Sequence, residues 1–543
     1  MKRFINFSFI AYSIFLLCFS STAEAKSVVV HCLEDFQKSK TIECTRFVIN
    51  GEVDLKGTYL LLPPNSKLFF STGSLKNGII EGNNTRIKST TENVFHNCSI
   101  KGKWQTSCAY SSMFDADMDA MTLLQNLSCL SPYVLLFANR DYIIKAEGKE
   151  IKVNNLAAAE KEKPVLQFLT IDPNVSGIIL SGNDITIRNI IVKDNYELKK
   201  EVLNAKNKAT IGNTIEIKSP TNEVKSLLID GCYFTGGTSS SYVASSQTKN
   251  CLVRNCTFSG YMADHAVYCS MCAEQFTIQD CKVNDVPQTR GVFKIRTSNK
   301  VRWFNLKNIE VYNLNGYLAA VGLLENPSTK ILLNHITVKK DEANNSIFYG
   351  FCIYDETHSL KGTGHYNADE ITVSNCYFDY GYNSLPVIYP GSEKRVCVKK
   401  IKYLNITARG SNFGGGESDY LLVRNSSYSD CCDRTGIELN ARKIEVDKVS
   451  FTQSKESPIN NLFLINYSAD VTKSVTVKKI EADMSVKDMF KVFRGTLQIN
   501  VDKSDVKNLY NCVVFAKKDS KIKYRLRKVS EQRGREFKES DAF

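Results

Sequence analysis

The stretch from Asp264 to Arg296 reads DHAVYCSMCAEQFTIQDCKVNDVPQTRGVFKIR and places His265 and Asp264 in reach of Arg290, Lys294 and Arg296. In its last residues the apolar Phe293 and Ile295 alternate with the cations, the period of a half-buried strand. Phe293 and Ile295 therefore face a core and Arg290, Lys294 and Arg296 point outward. His265 follows Cys251 by fourteen residues and Arg290 follows Phe276 by fourteen. Cys251 and Phe276 open two successive copies of a repeat, so His265 and Arg290 are expected to stack, making a stripe of one histidine and three cations on a rigid face. Such a stripe suits β-elimination from a uronate. That reaction needs a base at C5, a cation to neutralise the carboxylate and a proton for the departing oxygen. Lys294 or Arg296 is the expected base, His265 the acid, and Asp264 a substrate contact. The plain alternative is a row of solvated side chains on a strand.

A second cluster, YDETHSLKGTGHYNADE from Tyr354 to Glu370, holds Asp355, Glu356, His358 and His365 in a long insertion, the kind of place where repeat proteins put binding residues. Tyr312 and Tyr380 are outward aromatics suited to stacking on a sugar ring. Cys269 and Cys272 form a lone Cys-x-x-Cys, for which a local disulfide is expected rather than zinc, since no second pair or histidine stands at ligand spacing. Cys431-Cys432 matches no metal pattern. Calcium would need several acids, and only Asp264, Glu274 and Asp285 lie near the first cluster, so no metal or other cofactor is expected.

The elements that position these residues come from an eight-residue pattern: apolar, any, apolar, any, bend residue, apolar or small, any, apolar. Its eleven copies begin at Ile185, Leu227, Cys251, Phe276, Phe304, Ile331, Ile371, Ile401, Leu421, Ile444 and Val475. Each half alternates like a short strand, while across the middle the apolar residues stand three apart, so the chain must bend there to keep both halves on one core. Eight of the eleven bend residues are Asn, Asp or Gly, the types that accept a left-handed backbone; His335, Lys448 and Lys479 depart from this. Intervals of 20 to 42 residues suit one solenoid coil with loops of variable length. The expectation is an all-β chain, a right-handed parallel β-helix over 156–515. A β-sandwich would not explain a bend residue at one register. Cys232, Cys256, Cys281 and Cys376 all take the sixth position and are expected to be buried thiols.

Residues 26–155 read as a leading β segment with a capping helix between Phe114 and Leu130, where Met118, Met121, Leu124 and Leu127 have helical spacing. Residues 516–543 are basic and read as a mobile tail. At the start, Lys2 and Arg3, an apolar run from Phe7 to Phe19 and Ala23-Glu24-Ala25 form a secretory signal over 1–25. Cys18 raises a lipoprotein alternative, against which Leu16-Leu17 and the downstream cleavage site argue. Export to the periplasm, cell surface or medium is expected, with no transmembrane segment. The formal charge is +13, and +12 once Lys2, Arg3 and Glu24 leave with the signal, which fits an acidic polysaccharide partner or a solvated surface. No nucleic-acid motif is present, and nothing in the chain speaks to oligomeric state.

The coils, capping helix and leading segment resemble the pectate-lyase-like family of parallel β-helix proteins, especially those of gut Bacteroidetes. The resemblance covers most of the chain and implies the fold. Its activities range over lyases, hydrolases, epimerases and non-catalytic adhesins. Asp264-His265-Ala266 and Lys294-Ile295-Arg296 resemble the Gly-His-Gly and Arg-Ile-Lys motifs of polygalacturonases, with the basic order reversed. Where that family carries its aspartates this chain has GNTIEIK and TGGTSSSYVASS, and a glycosidase needs a pair of carboxylic acids. A polysaccharide lyase fits better than a hydrolase. A surface or adhesion solenoid that binds glycan without cleaving it is the alternative.

Overall fold

At ten of the eleven repeat copies the bend residue adopts a left-handed backbone: Asn189, Gly231, Asn255, Asp280, Asn308, His335, Asn375, Asn405, Asn425 and Lys448, with φ between 51° and 67°. His335 and Lys448 thus take the same turn as the asparagines; histidine, like Asn and Asp, is enriched in that region, whereas lysine is not. At Lys448 the turn follows the register of the neighbouring coils rather than residue type. Side-chain amides bridge successive turns: Asn405 Nδ2 donates to Asn375 Oδ1 at 2.8 Å, Asn425 Nδ2 to Asn405 Oδ1 at 3.3 Å, and Asn308 Nδ2 to Asp280 Oδ1 at 2.8 Å.

The computed structural model describes residues 26–39, 45–145, 148–169, 172, 174–195, 212–238, 240–272, 274–297, 302–323, 329–355, 366–384, 397–411, 413–414, 417–431, 435–454, 459–465, 471–532 and 535–540. They fall into two units, Met1–Phe137 and Ala138–Phe543. The division comes before residue 155 because Tyr142–Lys145, Lys149–Lys152 and Asn155–Ala158 already pair in parallel with strands of the following coils.

In the second unit every strand pairing between successive coils is parallel among the described residues, and the architecture is a right-handed parallel β-helix, the hand that parallel crossovers take. The two halves of each repeat lie on two adjoining sheets. A further sheet stacks Ile178–Ser181, Ile215–Lys218, Ser241–Ser246, His265–Cys272 and Phe293–Thr297, and then the end of Trp303–Leu323 and Phe348–Asp355. Between the sheets runs one apolar column, in which identical positions stack on identical positions; Phe276 lies on Phe304 with rings 5.6 Å apart and nearly parallel. Cys232, Cys256, Cys281 and Cys376 are buried in it, as their repeat position requires. Burial pushes the Cys376 thiol up to about 12.

The segment read as a mobile tail contains strands Lys521–Gln532 and Arg535–Ser540, both paired with Thr496–Lys517. Its charge density obscured a period-2 pattern: Lys521, Lys523, Arg525 and Arg527 are exposed, and Ile522, Tyr524 and Leu526 are half-buried.

The first unit is itself a stack of parallel strands, including Ser27–Val30, Arg46–Ile49, Lys67–Phe70, Ser74–Ile87 and Phe95–Gln105. Besides the short helix Leu33–Lys38 it holds the helix Ala120–Leu130, shorter than the expected span because Asp119 caps it, accepting from the Thr122 amide at 2.9 Å. Buried Asn126 turns to Phe95–Gln105: its Oδ1 accepts from the Ile100 amide at 2.9 Å and its Nδ2 donates to the Cys98 carbonyl at 3.2 Å. The helix thus satisfies backbone groups of that strand within its own unit. No helix among the described residues is long and apolar enough to cross a membrane.

Candidate functional site

Residue by residue, the sheet that carries His265 builds two outward columns. One runs Glu216, Ala244, Tyr268, Lys294, Ala320, Cys352; beside it run Arg296, Gly322 and Tyr354. Lys294 and Arg296 face outward as their alternation with the buried Phe293 and Ile295 demands. The rung after theirs presents only Ala320 and Gly322. Across this low rung Lys294 reaches Tyr354, donating from Nζ to the phenol oxygen, with its ammonium 4.4 Å from the ring centroid. Tyr354 is sixty residues further along the chain and two rungs along the stack. The contact brings a cation and an aromatic ring together on one face, with small residues on the rung between and the Arg296 guanidinium on the rung of Lys294.

His265 departs from the expected stripe. Its side chain is buried, 9% exposed against 69% for Arg290. Between His265 and Val267 the chain advances two residues, while the rung above takes three, Arg290 to Phe293; the extra residue is Gly291 at φ +153°. Its carbonyl turns to His265 Nδ1 at 2.7 Å. A carbonyl only accepts, so Nδ1 carries the hydrogen. Nε2 then faces Asp264 Oδ1 at 3.6 Å, and Arg290 Nη1 lies 3.7 Å from the same oxygen. Burial lowers the His265 pKa, and the Asp264 charge only partly opposes it. In its neutral form His265 spends its single N–H on Gly291. This places His265 at the Arg290–Gly291 turn rather than in the exposed stripe expected for it.

Asp264, His265 and Arg290 form one cluster, and Lys294 and Tyr354 a second on the same sheet, with Arg296 on the rung of Lys294. Asp355 follows Tyr354 in the same strand, its backbone paired with Leu323, while its side chain lies outside the described residues. Glu356, His358 and His365 lie outside them as well, as does the Tyr380 side chain. Tyr312 belongs elsewhere. It stacks between Asn284 and Lys339 on a different sheet and donates to Asp341. Cys269 is a buried free thiol beside Cys251, which corrects the expected Cys269–Cys272 disulfide; an inward residue of this column cannot turn to a neighbour three positions on without leaving the core. No group of three or more metal-ligating side chains gathers among the described residues.

Tyr354 was missed as a partner of Lys294. Its one signal in the sequence is that it opens the second polar cluster, so the structure joins the edge of that cluster to the first.

The chain matches no known family and no curated protein. Among solved structures it is similar to the A-module of the mannuronan C-5 epimerase AlgE6 of Azotobacter vinelandii, at 12% identity and a TM-score of 0.27, over 79% of this chain and 99% of that one. At that level the likeness carries no argument; the fold rests on the strand pairings above.

Proposed function

We propose that this is an exported, carbohydrate-active β-helix protein that binds an acidic polysaccharide on the sheet carrying Lys294, Arg296, Tyr268 and Tyr354. The observation that carries the reading is the Lys294–Tyr354 pair laid across the low rung of Ala320 and Gly322. It offers a carboxylate-binding charge beside an aromatic ring on one sheet face. The formal charge of +13 favours an acidic partner, and the resemblance of the coils to pectate-lyase-like proteins points the same way.

Cleavage by β-elimination is the second reading. Elimination would break the C5–H and C4–O bonds and form a C4–C5 double bond: Arg296 would take the C5 proton, Lys294 would neutralise the carboxylate, and the Tyr354 phenol beside it would give a proton to the departing glycosidic oxygen. The test is incubation of the intact protein and a Lys294→Ala, Arg296→Ala double variant with a panel of polyuronates, following both retention on the glycan and the ultraviolet absorbance of an unsaturated uronate product. Binding lost in the variant supports the glycan site. An absorbance rise lost in the variant adds elimination. No retention on any acidic glycan would sink the reading.

A further inference from the structure

The first unit carries a row of stacked cations that the site above does not use. Ser27, Arg46, Lys67, Arg86 and Gln105 are register partners on successive parallel strands, so the side chains of Arg46, Lys67 and Arg86 rise one above another on the same face. Their alternation confirms the orientation, since Phe47, Leu68 and Ile87 between them are buried and all three cations are exposed. Lys26 and Lys88 extend the row, and the five cations line one open groove of about 880 Å³ with no acidic residue among its lining.

Like charges stacked at the inter-strand spacing of roughly 4.8 Å repel one another, and nothing in folding calls for three in a row. Among the described residues none of the five forms an ion pair with a carboxylate of the chain. Beside the cations runs an apolar strip, Val29, Val48 and Phe69, half-buried to exposed on the same face, with the Arg46 guanidinium 4.6 Å from the Phe69 ring centroid. The inter-strand spacing is close to the length of one pyranose residue. A linear glycan with an anionic group on each residue would therefore meet one cation per residue and lay its ring faces on the apolar strip.

We infer that the groove over Arg46, Lys67 and Arg86 is a second binding site, specific for a linear anionic polysaccharide running across the strands of the first unit. This does not rest on the reading of the Lys294 face: it stands on a different unit and on different residues.

The experiment uses the full chain and polygalacturonate. Binding is measured for the intact protein, for an Arg46→Gln, Lys67→Gln, Arg86→Gln variant and for the Lys294→Ala, Arg296→Ala variant, with fully methyl-esterified polygalacturonate as the uncharged control. Affinity about tenfold or more weaker in the groove variant, with unchanged thermal unfolding, and poor binding of the ester would support the site. A second measurement needs no variant: lysine acetylation read by mass spectrometry should show Lys26, Lys67 and Lys88 protected when polygalacturonate is bound. Equal binding by the groove variant, or no protection of these lysines, would overturn it whatever the Lys294 variant does. Retention of duplex DNA or phosphatidylserine vesicles in preference to polygalacturonate would overturn it as well. A loss confined to the Lys294 variant would uphold the other site and refute this one.

Discussion

The ammonium of Lys294 lies 4.4 Å from the ring centroid of Tyr354, which follows it by sixty residues in the chain and by two rungs in the stack. The contact joins the two polar clusters of the sequence, and its consequences can be measured.

Lys294→Ala should weaken polyuronate binding by about tenfold, since a charge on an aromatic face is lost. Tyr354→Phe keeps the ring and loses only the hydrogen bond, so its affinity should fall between the two. Titration calorimetry of the three proteins checks the order.

Ala320 stands between the pair on the intervening rung and is almost fully buried by its neighbours. Ala320→Phe should force Lys294 away from Tyr354 and abolish binding at this face while the β-sheet circular dichroism remains. Unchanged affinity in a folded Ala320→Phe protein would refute the assignment of the Lys294–Tyr354 pair as the binding site.

His265 gives a pH dependence whose sign is fixed by burial. Its native pKa lies below the usual 6.5, so as pH falls through that value the unfolded chain takes up a proton that the native chain does not, and stability falls. Above it the histidine makes no pH-dependent contribution. Thermal unfolding of the intact protein and of His265→Gln as a function of pH should converge at low pH, the intact protein having the steeper acid loss.

Asn405 holds a left-handed turn and bonds to asparagines on both sides, Asn375 and Asn425. Asn405→Ala should cost about 1–3 kcal/mol, from backbone strain and lost hydrogen bonds together. Asn405→Gly should cost less, because glycine removes the strain component. Urea unfolding with unchanged slope is the readout.

The repeat pattern made the coils legible because burial selects apolar residues at fixed positions, and the cysteines at the sixth position could be placed by the same logic. The left-handed turn at Lys448 shows where residue type fails as a guide and neighbouring coils decide. The site was legible in part. Alternation alone turned Lys294 and Arg296 outward, whereas counting from the repeat start placed His265 on the surface, since a one-residue bulge at Gly291 leaves no mark in an apolar pattern. Tyr354 escaped notice for a different reason: the number of rungs between two residues depends on loop lengths, which carry no periodicity. The cations of the first unit lie outside the repeat, so their alignment required knowledge of strand register.

Free cysteines buried in the column should resist alkylation. Native protein treated with iodoacetamide should leave Cys232, Cys256, Cys281 and Cys376 unmodified, and denatured protein should react at all four, as peptide mass spectrometry would show.

Parallel register gives the molecule the property of a ruler. Each coil advances by one inter-strand distance, roughly 4.8 Å, with little freedom to stretch, because backbone hydrogen bonds set the graduation. A polymer laid along the stack has a repeat of its own, and any mismatch between the two accumulates with every residue added. Contact is therefore in phase over a short run and drifts out of phase beyond it, so the length of glycan engaged would be limited by commensurability rather than by the length of the solenoid. Loops lengthen and shorten from one coil to the next, as the intervals of 20 to 42 residues show, without altering a single graduation.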